Sequence, residues 1–304
     1  MTGVSPTASF LLPEGFAPPG AAAVLREAGV VGEAGRALRH AAGEHRRRRA
    51  LPYAERSRPR DAEPVVLVPG FLAGDGSLTV LAAGLRRAGR RTYRAQIHAN
   101  IGCTASAADQ LESRIESVAA RRGSRVQVVG HSLGGMLARG LAVRRPDLVS
   151  GIVTLGSPKL APGAHHVSLS ASLELLVRLS AAGWRGLMAE DCVNGRCARA
   201  SFDETRAPVP DEVSFTAVWS RRDGVVDHRA CVDPEATSVE VRATHLGMAL
   251  DPRVLAVVLE ALGRHDLPEV GTTTARAAAR LTGPRGGVGV GAGSAVEVDR
   301  GESA

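Results

Sequence analysis

The sequence is poor in aromatic residues and in lysine. Aromatic side chains make up 3% of the 304 residues, and Lys159 is the only lysine although the formal net charge is +7. A surface that binds single-stranded nucleic acid needs rings on which bases can stack, and this chain has few. The basic residues are nearly all arginines, which together with abundant Ala, Gly and Val are typical of a GC-rich genome. We therefore expect no nucleic-acid partner.

Long apolar runs and a basic leader are also missing. Phe10-Leu11-Leu12 is followed at once by Pro13, so no extended apolar region of a signal peptide is present. No other run approaches the length of a membrane-spanning helix. These features predict a soluble, cytoplasmic protein. The arginine cluster Arg46–Arg49 is interpreted as a solvated linker, with transient contact to an anionic membrane surface or to nucleic acid as the alternatives.

The four cysteines show none of the close pairs that are typical of zinc sites. Cys192 and Cys197 enclose a turn-forming Val-Asn-Gly-Arg sequence and could be joined by a disulfide, or remain thiols in a reducing cytosol. Cys103 and Cys231 are isolated along the chain. This spacing predicts no metal site, and it leaves open whether Cys192 and Cys197 form a disulfide.

Buried strands alternate with helices over the middle of the chain. Pro64-Val65-Val66-Leu67-Val68 is a continuous apolar run of the kind that is buried on both faces of a parallel sheet. Further strands are predicted at 91–96, 126–129, 151–157, 213–220 and 238–243, and a helix over 106–122 that Ser106 would cap. This alternation predicts an α/β fold with a mostly parallel central sheet flanked by helices.

The chain is predicted to consist of three regions. Residues 1–60 form a helical or linker prelude, and residues 61–266 form the α/β domain. Residues 158–212 interrupt the alternation and are expected to form a helical cap or lid whose apolar face either binds an acyl chain or packs on the core. Residues 267–304 contain almost no large apolar side chain and are predicted to be a disordered tail.

One stretch carries a specific chemical prediction. Gly130-His131-Ser132-Leu133-Gly134 follows a buried strand and precedes residues with helical periodicity. Such a strand-to-helix turn is a nucleophile elbow, in which glycines allow close approach of the neighbouring backbone and the serine hydroxyl projects beyond the sheet. The alternative is that Ser132 is only a small residue that lets a helix lie close to a strand. We predict that Ser132 is a nucleophile.

A serine nucleophile needs a histidine base and a carboxylate that orients it. In an open parallel sheet these groups meet at the carboxyl ends of strands, which selects His245 after the last strand and Asp223 after the strand before it. Asp227 is kept as the alternative carboxylate. The side chain of His131 is expected to point away from the site.

The order Ser132, Asp223, His245 and the Gly-His-Ser-Leu-Gly-Gly elbow resemble the α/β-hydrolase superfamily, and the segment from Val65 to Phe71 resembles its lipase and esterase branch. The resemblance covers residues 64–265. It implies a Ser-Asp-His triad, no cofactor and an acyl-enzyme intermediate. It also implies an oxyanion hole made by the backbone N–H groups of Phe71 and Leu133. Relatives carry His-Gly where this chain has Pro69-Gly70, but the missing N–H is not the one that the hole requires.

The predicted function is hydrolysis of carboxylic esters, with a small-molecule ester or lipid-like substrate. An acyltransferase with the same triad and a non-catalytic binding protein are the alternatives, because one fold hosts many functions. The sequence does not indicate the acyl-chain length or the oligomeric state.

Overall fold

The computed structural model describes residues 8–50 and 63–265. The tail predicted for residues 267–304 lies outside the described residues, as do both ends of the predicted prelude. The predicted domain boundaries therefore stay predictions.

A six-stranded sheet forms the centre of the described chain, and all of its strands are parallel. The spatial order is β2-β1-β3-β4-β5-β6, so the first and third strands are neighbours. The strands are β1 Val65–Val68, β2 Thr92–Arg94, β3 Val126–His131, β4 Val149–Leu155, β5 Ser214–Trp219 and β6 Thr237–Glu240. The predicted α/β fold with a parallel sheet is confirmed. The last strand is shorter than predicted and ends before His245, which lies on the following loop.

Helices connect the strands and precede the first one. They are α1 Val30–Ala50, α2 Thr79–Arg87, α3 Thr104–Arg122, α4 Leu133–Arg144, α5 Val167–Ala181, α6 Glu190–Val193, α7 Arg196–Arg206 and α8 Pro252–His265. Shorter 3-10 helices span Ser9–Leu11, Ala21–Gly29, Asp75–Leu78, His228–Cys231 and Leu246–Ala249. Helix α3 begins two residues earlier than predicted, with Cys103 at its N-cap, so the expected cap at Ser106 is wrong.

The core lies on both faces of the sheet. On one face, α3 and α4 bury Leu111, Ile115 and Leu141 against the sheet. On the other face, α2 and α8 bury apolar side chains such as Leu85 and Val258. Burial on both faces removes β1, β3 and β4 from water along their whole length, which explains why β1 is entirely apolar and why valine, leucine and isoleucine are frequent in β3 and β4.

The connection from β4 to β5 contains α5, α6 and α7. The prediction that this segment is a cap stays a prediction. None of the helices among residues 8–50 and 63–265 is both long and apolar enough to span a bilayer.

Candidate active site

Ser132 occupies a strained turn between β3 and α4. Its backbone angles are φ 53° and ψ −122°, a conformation that non-glycine residues rarely adopt. A Cβ on Gly130 would lie 2.3 Å from the carbonyl oxygen of Gly134, and a Cβ on Gly134 would lie 2.2 Å from that of Val68. Both distances are shorter than any atomic contact allows, so the prediction that side chains at these glycines would collide with their neighbours is confirmed.

His245 and Asp223 form a buried hydrogen-bonded pair. The Nδ1 atom of His245 donates to Oδ2 of Asp223 over 2.7 Å, and both residues are at most 4% exposed. The other carboxylate oxygen of Asp223 accepts hydrogen bonds from the backbone N–H groups of Val225 and Val226. The Asp223 carboxylate is therefore fixed on both sides, and it fixes the imidazole in turn.

The end of β4 brings Ser132 and the His245–Asp223 pair to the same edge of the sheet. The backbone N–H of Ser132 donates to the carbonyl oxygen of Leu155 over 2.8 Å. The next residue, Gly156, has φ 56°, and a Cβ there would lie 3.1 Å from Nδ1 of His245 and 3.3 Å from Oδ2 of Asp223. The elbow and the pair thus contact consecutive residues of one strand end, as the rule for parallel sheets requires.

The electrostatic surroundings favour the protonated form of His245. Burial lowers the pKa of this imidazole, but the charge of Asp223, the hydrogen bond to it and the charge of Glu27 together raise the pKa above its ordinary value. A positive charge that develops on this ring is therefore stabilised.

His131 lies beside His245 rather than away from the site. Its Nε2 donates to the carbonyl oxygen of His245 over 2.9 Å, and the two rings have centroids 4.8 Å apart. Burial, reinforced by the charge of His245, lowers the pKa of His131 to about 4, so the ring is neutral near pH 7. The expectation that His131 would point elsewhere did not anticipate this contact, because sequence adjacency does not reveal what packs across the sheet edge.

The loop after β1 is held by Asn100, which is buried. The side-chain amide of Asn100 donates to the carbonyl oxygen of Pro69, and the backbone carbonyl oxygen of Asn100 accepts from the backbone N–H of Leu72. These two bonds bracket Phe71, the residue predicted to supply an oxyanion donor. Leu72 has φ 60°, which turns the chain sharply after that residue.

A mainly apolar cavity of about 160 Å³ opens beside the elbow. Ser132, Leu133 and Phe71 all line it. The remaining wall includes apolar residues from the N-terminal segment, from α5, from the loop after α5 and from α7: Leu11, Leu169, Leu173, Met188 and Phe202. A group bound here would contact both predicted oxyanion residues and the predicted nucleophile.

The N-terminal segment holds the two loops that carry His245 and Asp223. Glu27 is 8% exposed, and its Oε1 accepts from the backbone N–H groups of Gly224 and His245 over 2.9 and 3.0 Å. Its Oε2 accepts from the N–H of Leu246 over 3.0 Å. Glu33 in α1 binds both the N–H and the hydroxyl of Thr244. The predicted prelude is therefore part of the site, which composition alone did not indicate.

The alternative carboxylate, Asp227, has different partners. Its side chain pairs with Arg229 over 2.6 Å and accepts backbone hydrogen bonds from Arg229 and Ala17. The structure thus brings His245 to Asp223 and not to Asp227. Cys192 and Cys197 are both free thiols, so the possible disulfide between them is not formed.

Comparison with known proteins is consistent with this geometry. A family model described as the alpha/beta hydrolase fold matches residues 63–200. The mature form of lipase BlEst2 from Bacillus licheniformis superposes with a TM-score of 0.54 and 14% identity, over 68% of this chain and 94% of the other. The chain has the α/β-hydrolase fold. In this fold, Ser132 lies at the turn between β3 and α4, where the sequence predicts the nucleophile.

A triacylglycerol lipase from Vibrio cholerae serotype O1 is similar to part of this chain. The two are 34% identical over 116 residues, which are 36% of this chain and 35% of the relative. The matched segment thus spans about a third of that protein's length. The propeptide form of the Bacillus lipase superposes with a TM-score of 0.53 at 15% identity, over 70% of this chain and 52% of the other. The predicted resemblance to the lipase and esterase branch is confirmed.

Proposed function

We propose that this protein is a serine ester hydrolase that cleaves carboxylic esters with apolar acyl groups through an acyl-enzyme on Ser132. The observation that carries the proposal is the buried 2.7 Å hydrogen bond between His245 and Asp223 at the edge of the sheet where the Ser132 elbow also lies. A buried histidine that is hydrogen-bonded to a carboxylate beside a serine elbow is the arrangement that a catalytic triad requires.

The chemistry assigns one task to each side chain. His245 takes the hydroxyl proton of Ser132 as the serine oxygen attacks the ester carbonyl, and it returns that proton to the leaving alcohol. Asp223 holds the imidazole in the tautomer with a proton on Nδ1 and stabilises the imidazolium. In the second half of the reaction, His245 activates water, which hydrolyses the acyl-enzyme.

The negative charge on the carbonyl oxygen is assigned to the N–H groups of Phe71 and Leu133. Leu133 is the first residue of α4, where unpaired N–H groups and the helix dipole favour an anion. Asn100 supports the other donor because it binds the backbone on both sides of Phe71. Removing one such donor from a hydrolase lowers the rate by about 100- to 1000-fold.

The substrate class is argued from the cavity. Its wall beyond the elbow is built from leucine, methionine and phenylalanine side chains. Such a wall favours an acyl chain over a charged or sugar-like group, because transferring apolar surface from water is favourable by roughly 25 cal/mol per Å². The lipases similar to this chain have names that agree with an ester or lipid-like substrate.

The test is a comparison of two serine variants that line the same cavity. Ser132→Ala should abolish hydrolysis of chromogenic acyl esters and labelling by a fluorophosphonate, while Ser201→Ala, which lies off the elbow, should retain both. Unchanged turnover in Ser132→Ala would refute the proposal. Labelling at Ser132 without hydrolysis, together with acyl transfer to an added alcohol, would favour an acyltransferase. Absence of labelling in the wild-type protein would favour a binding protein.

A further inference from the structure

Three of the four cysteines converge on one point, although they are widely spaced along the chain. The sulfur atoms of Cys103, Cys192 and Cys197 all lie within 4.8 Å of one another, and those of Cys103 and Cys197 are 3.5 Å apart. All three side chains are partly exposed, so the cluster is accessible to solutes. Two bonds of about 2.3 Å from a tetrahedral zinc ion would place their sulfur atoms about 3.8 Å apart, which is close to the spacing found here.

The cluster is built on three separate elements. Cys103 is the N-cap of α3, Cys192 lies in α6, and Cys197 is the second residue of α7. Two of the three sulfurs therefore lie at the N-terminal ends of helices of eleven or more residues, where the helix dipole stabilises negative charge. A bound cation would offset the repulsion between thiolates that gather at this place.

The loop that carries two of the cysteines is held in place by Asp191. Its Oδ1 accepts from the backbone N–H of Arg196 over 2.9 Å, and its Oδ2 accepts from the N–H of Cys197 over 3.2 Å. The backbone between Cys192 and Cys197 is thereby fixed, so little conformational entropy is lost when both sulfurs bind the same ion.

We propose that Cys103, Cys192 and Cys197 form a three-thiolate site for a soft divalent cation such as Zn²⁺. Binding forms three metal–sulfur bonds and releases the thiol protons to solvent, so the affinity rises with pH. The fourth coordination position is open to solvent or to a small ligand. Since Cys192 also lines the cavity, the ion would tie the wall of that cavity to the start of α3.

A disulfide is the competing use of the same atoms. It would join Cys103 and Cys197 at about 2.05 Å and leave Cys192 alone. The cation is favoured here because it uses all three sulfurs and requires no oxidant. The two states are distinguished by reducing the protein first.

The experiment uses the full chain, reduced and freed of metal under anaerobic conditions. Zn²⁺ is titrated in competition with a chromophoric chelator, and Co²⁺ is added separately to detect thiolate-to-metal absorption. We expect one Zn²⁺ per chain, a thiolate band with Co²⁺ and a higher Tm with Zn²⁺. The affinity should fall at least about tenfold in Cys103→Ser and in Cys192→Ser, since even partners outside the first coordination sphere cost that much.

The fourth cysteine provides the matched control. Cys231 is buried outside the cluster, and Cys231→Ser should bind Zn²⁺ as the wild type does. The proposal is overturned if the reduced wild-type chain binds no Zn²⁺, or if Cys103→Ser and Cys192→Ser, shown to be folded by circular dichroism, bind it with unchanged affinity. Formation of a Cys103–Cys197 disulfide in the presence of Zn²⁺ would equally contradict it. None of these readouts depends on ester hydrolysis.

Discussion

The contact of Glu27 with the loops of Asp223 and His245 gives the sharpest prediction. Glu27→Gln preserves the shape of the side chain but replaces one acceptor oxygen by an amide that cannot accept. If the remaining oxygen keeps the N–H groups of Gly224 and His245, the amide faces the N–H of Leu246 and loses that bond. A hydrogen bond to a charged group is worth about 1.5–3 kcal/mol, and the two bonds that remain become neutral and weaker.

We therefore expect Glu27→Gln to lower the free energy of unfolding by about 2–4 kcal/mol. For a domain of this size each kcal/mol corresponds to about 2–4 °C in Tm. Ester hydrolysis should also fall, because His245 and Asp223 are carried by the loops that Glu27 joins. A displacement of about 1 Å at reacting groups can lower the rate about 100-fold.

The pH profile of kcat/KM distinguishes an effect of Glu27 on His245 from an effect of Glu27 on the stability of the fold. The negative charge of Glu27 contributes to raising the pKa of His245 above the ordinary 6.5. Because catalysis requires the neutral imidazole, kcat/KM of the wild type should rise with pH through that raised pKa. Removing the charge lowers this pKa, which moves the acidic limb to lower pH. The assay is kcat/KM on a soluble acyl ester between about pH 5 and 9, below the Tm of the variant.

The matched control is Glu14→Gln, an exposed glutamate in the same N-terminal segment. It should leave both Tm and the pH profile unchanged. A Glu27→Gln protein with wild-type Tm and an unmoved acidic limb would refute the reasoning. A lower Tm with an unmoved limb would show that Glu27 stabilises the fold without acting on His245.

Three further predictions follow from the geometry. Asp223→Asn should lower kcat on an acyl ester by about 10⁴-fold while Asp227→Asn lowers it far less, and equal losses would contradict the choice of carboxylate. Gly134→Ala should lower the free energy of unfolding by about 3 kcal/mol or more, because the new Cβ meets the carbonyl oxygen of Val68. The measurement is urea denaturation, and an unchanged midpoint would disprove the clash. Leu173→Trp should shift the preference in a panel of acyl esters to shorter chains, and a preserved preference would show that the cavity does not hold the acyl group.

The sheet could be predicted because its signals are local. Strand β1 is an apolar run and β3 is rich in valine, and burial on both faces imposes that pattern directly. Ends of elements were less well predicted. The last strand stops at Glu240 rather than continuing to Ala243, since pairing with β5 and not residue type decides where a strand ends.

The pairing of His245 with Asp223 was predictable because parallel strands deliver their following loops to one edge. The contacts that support this pair could not be predicted from the sequence. Glu27 lies 197 residues before Gly224 and 218 residues before His245, and nothing in its surroundings along the chain distinguishes it from a surface glutamate. His131 and Asn100 were missed for the same reason, since their roles come from backbone groups across the fold.

Local residue order determined the parallel sheet and the strained turn at Ser132, because periodicity and the steric demands of glycine act between near neighbours in the chain. Only the tertiary structure decided that an N-terminal carboxylate holds the His245 loop and that Cys103 meets Cys192 and Cys197. Such contacts join segments whose separation along the chain carries no signal, so they exist only once the sheet and its helices have brought those segments together.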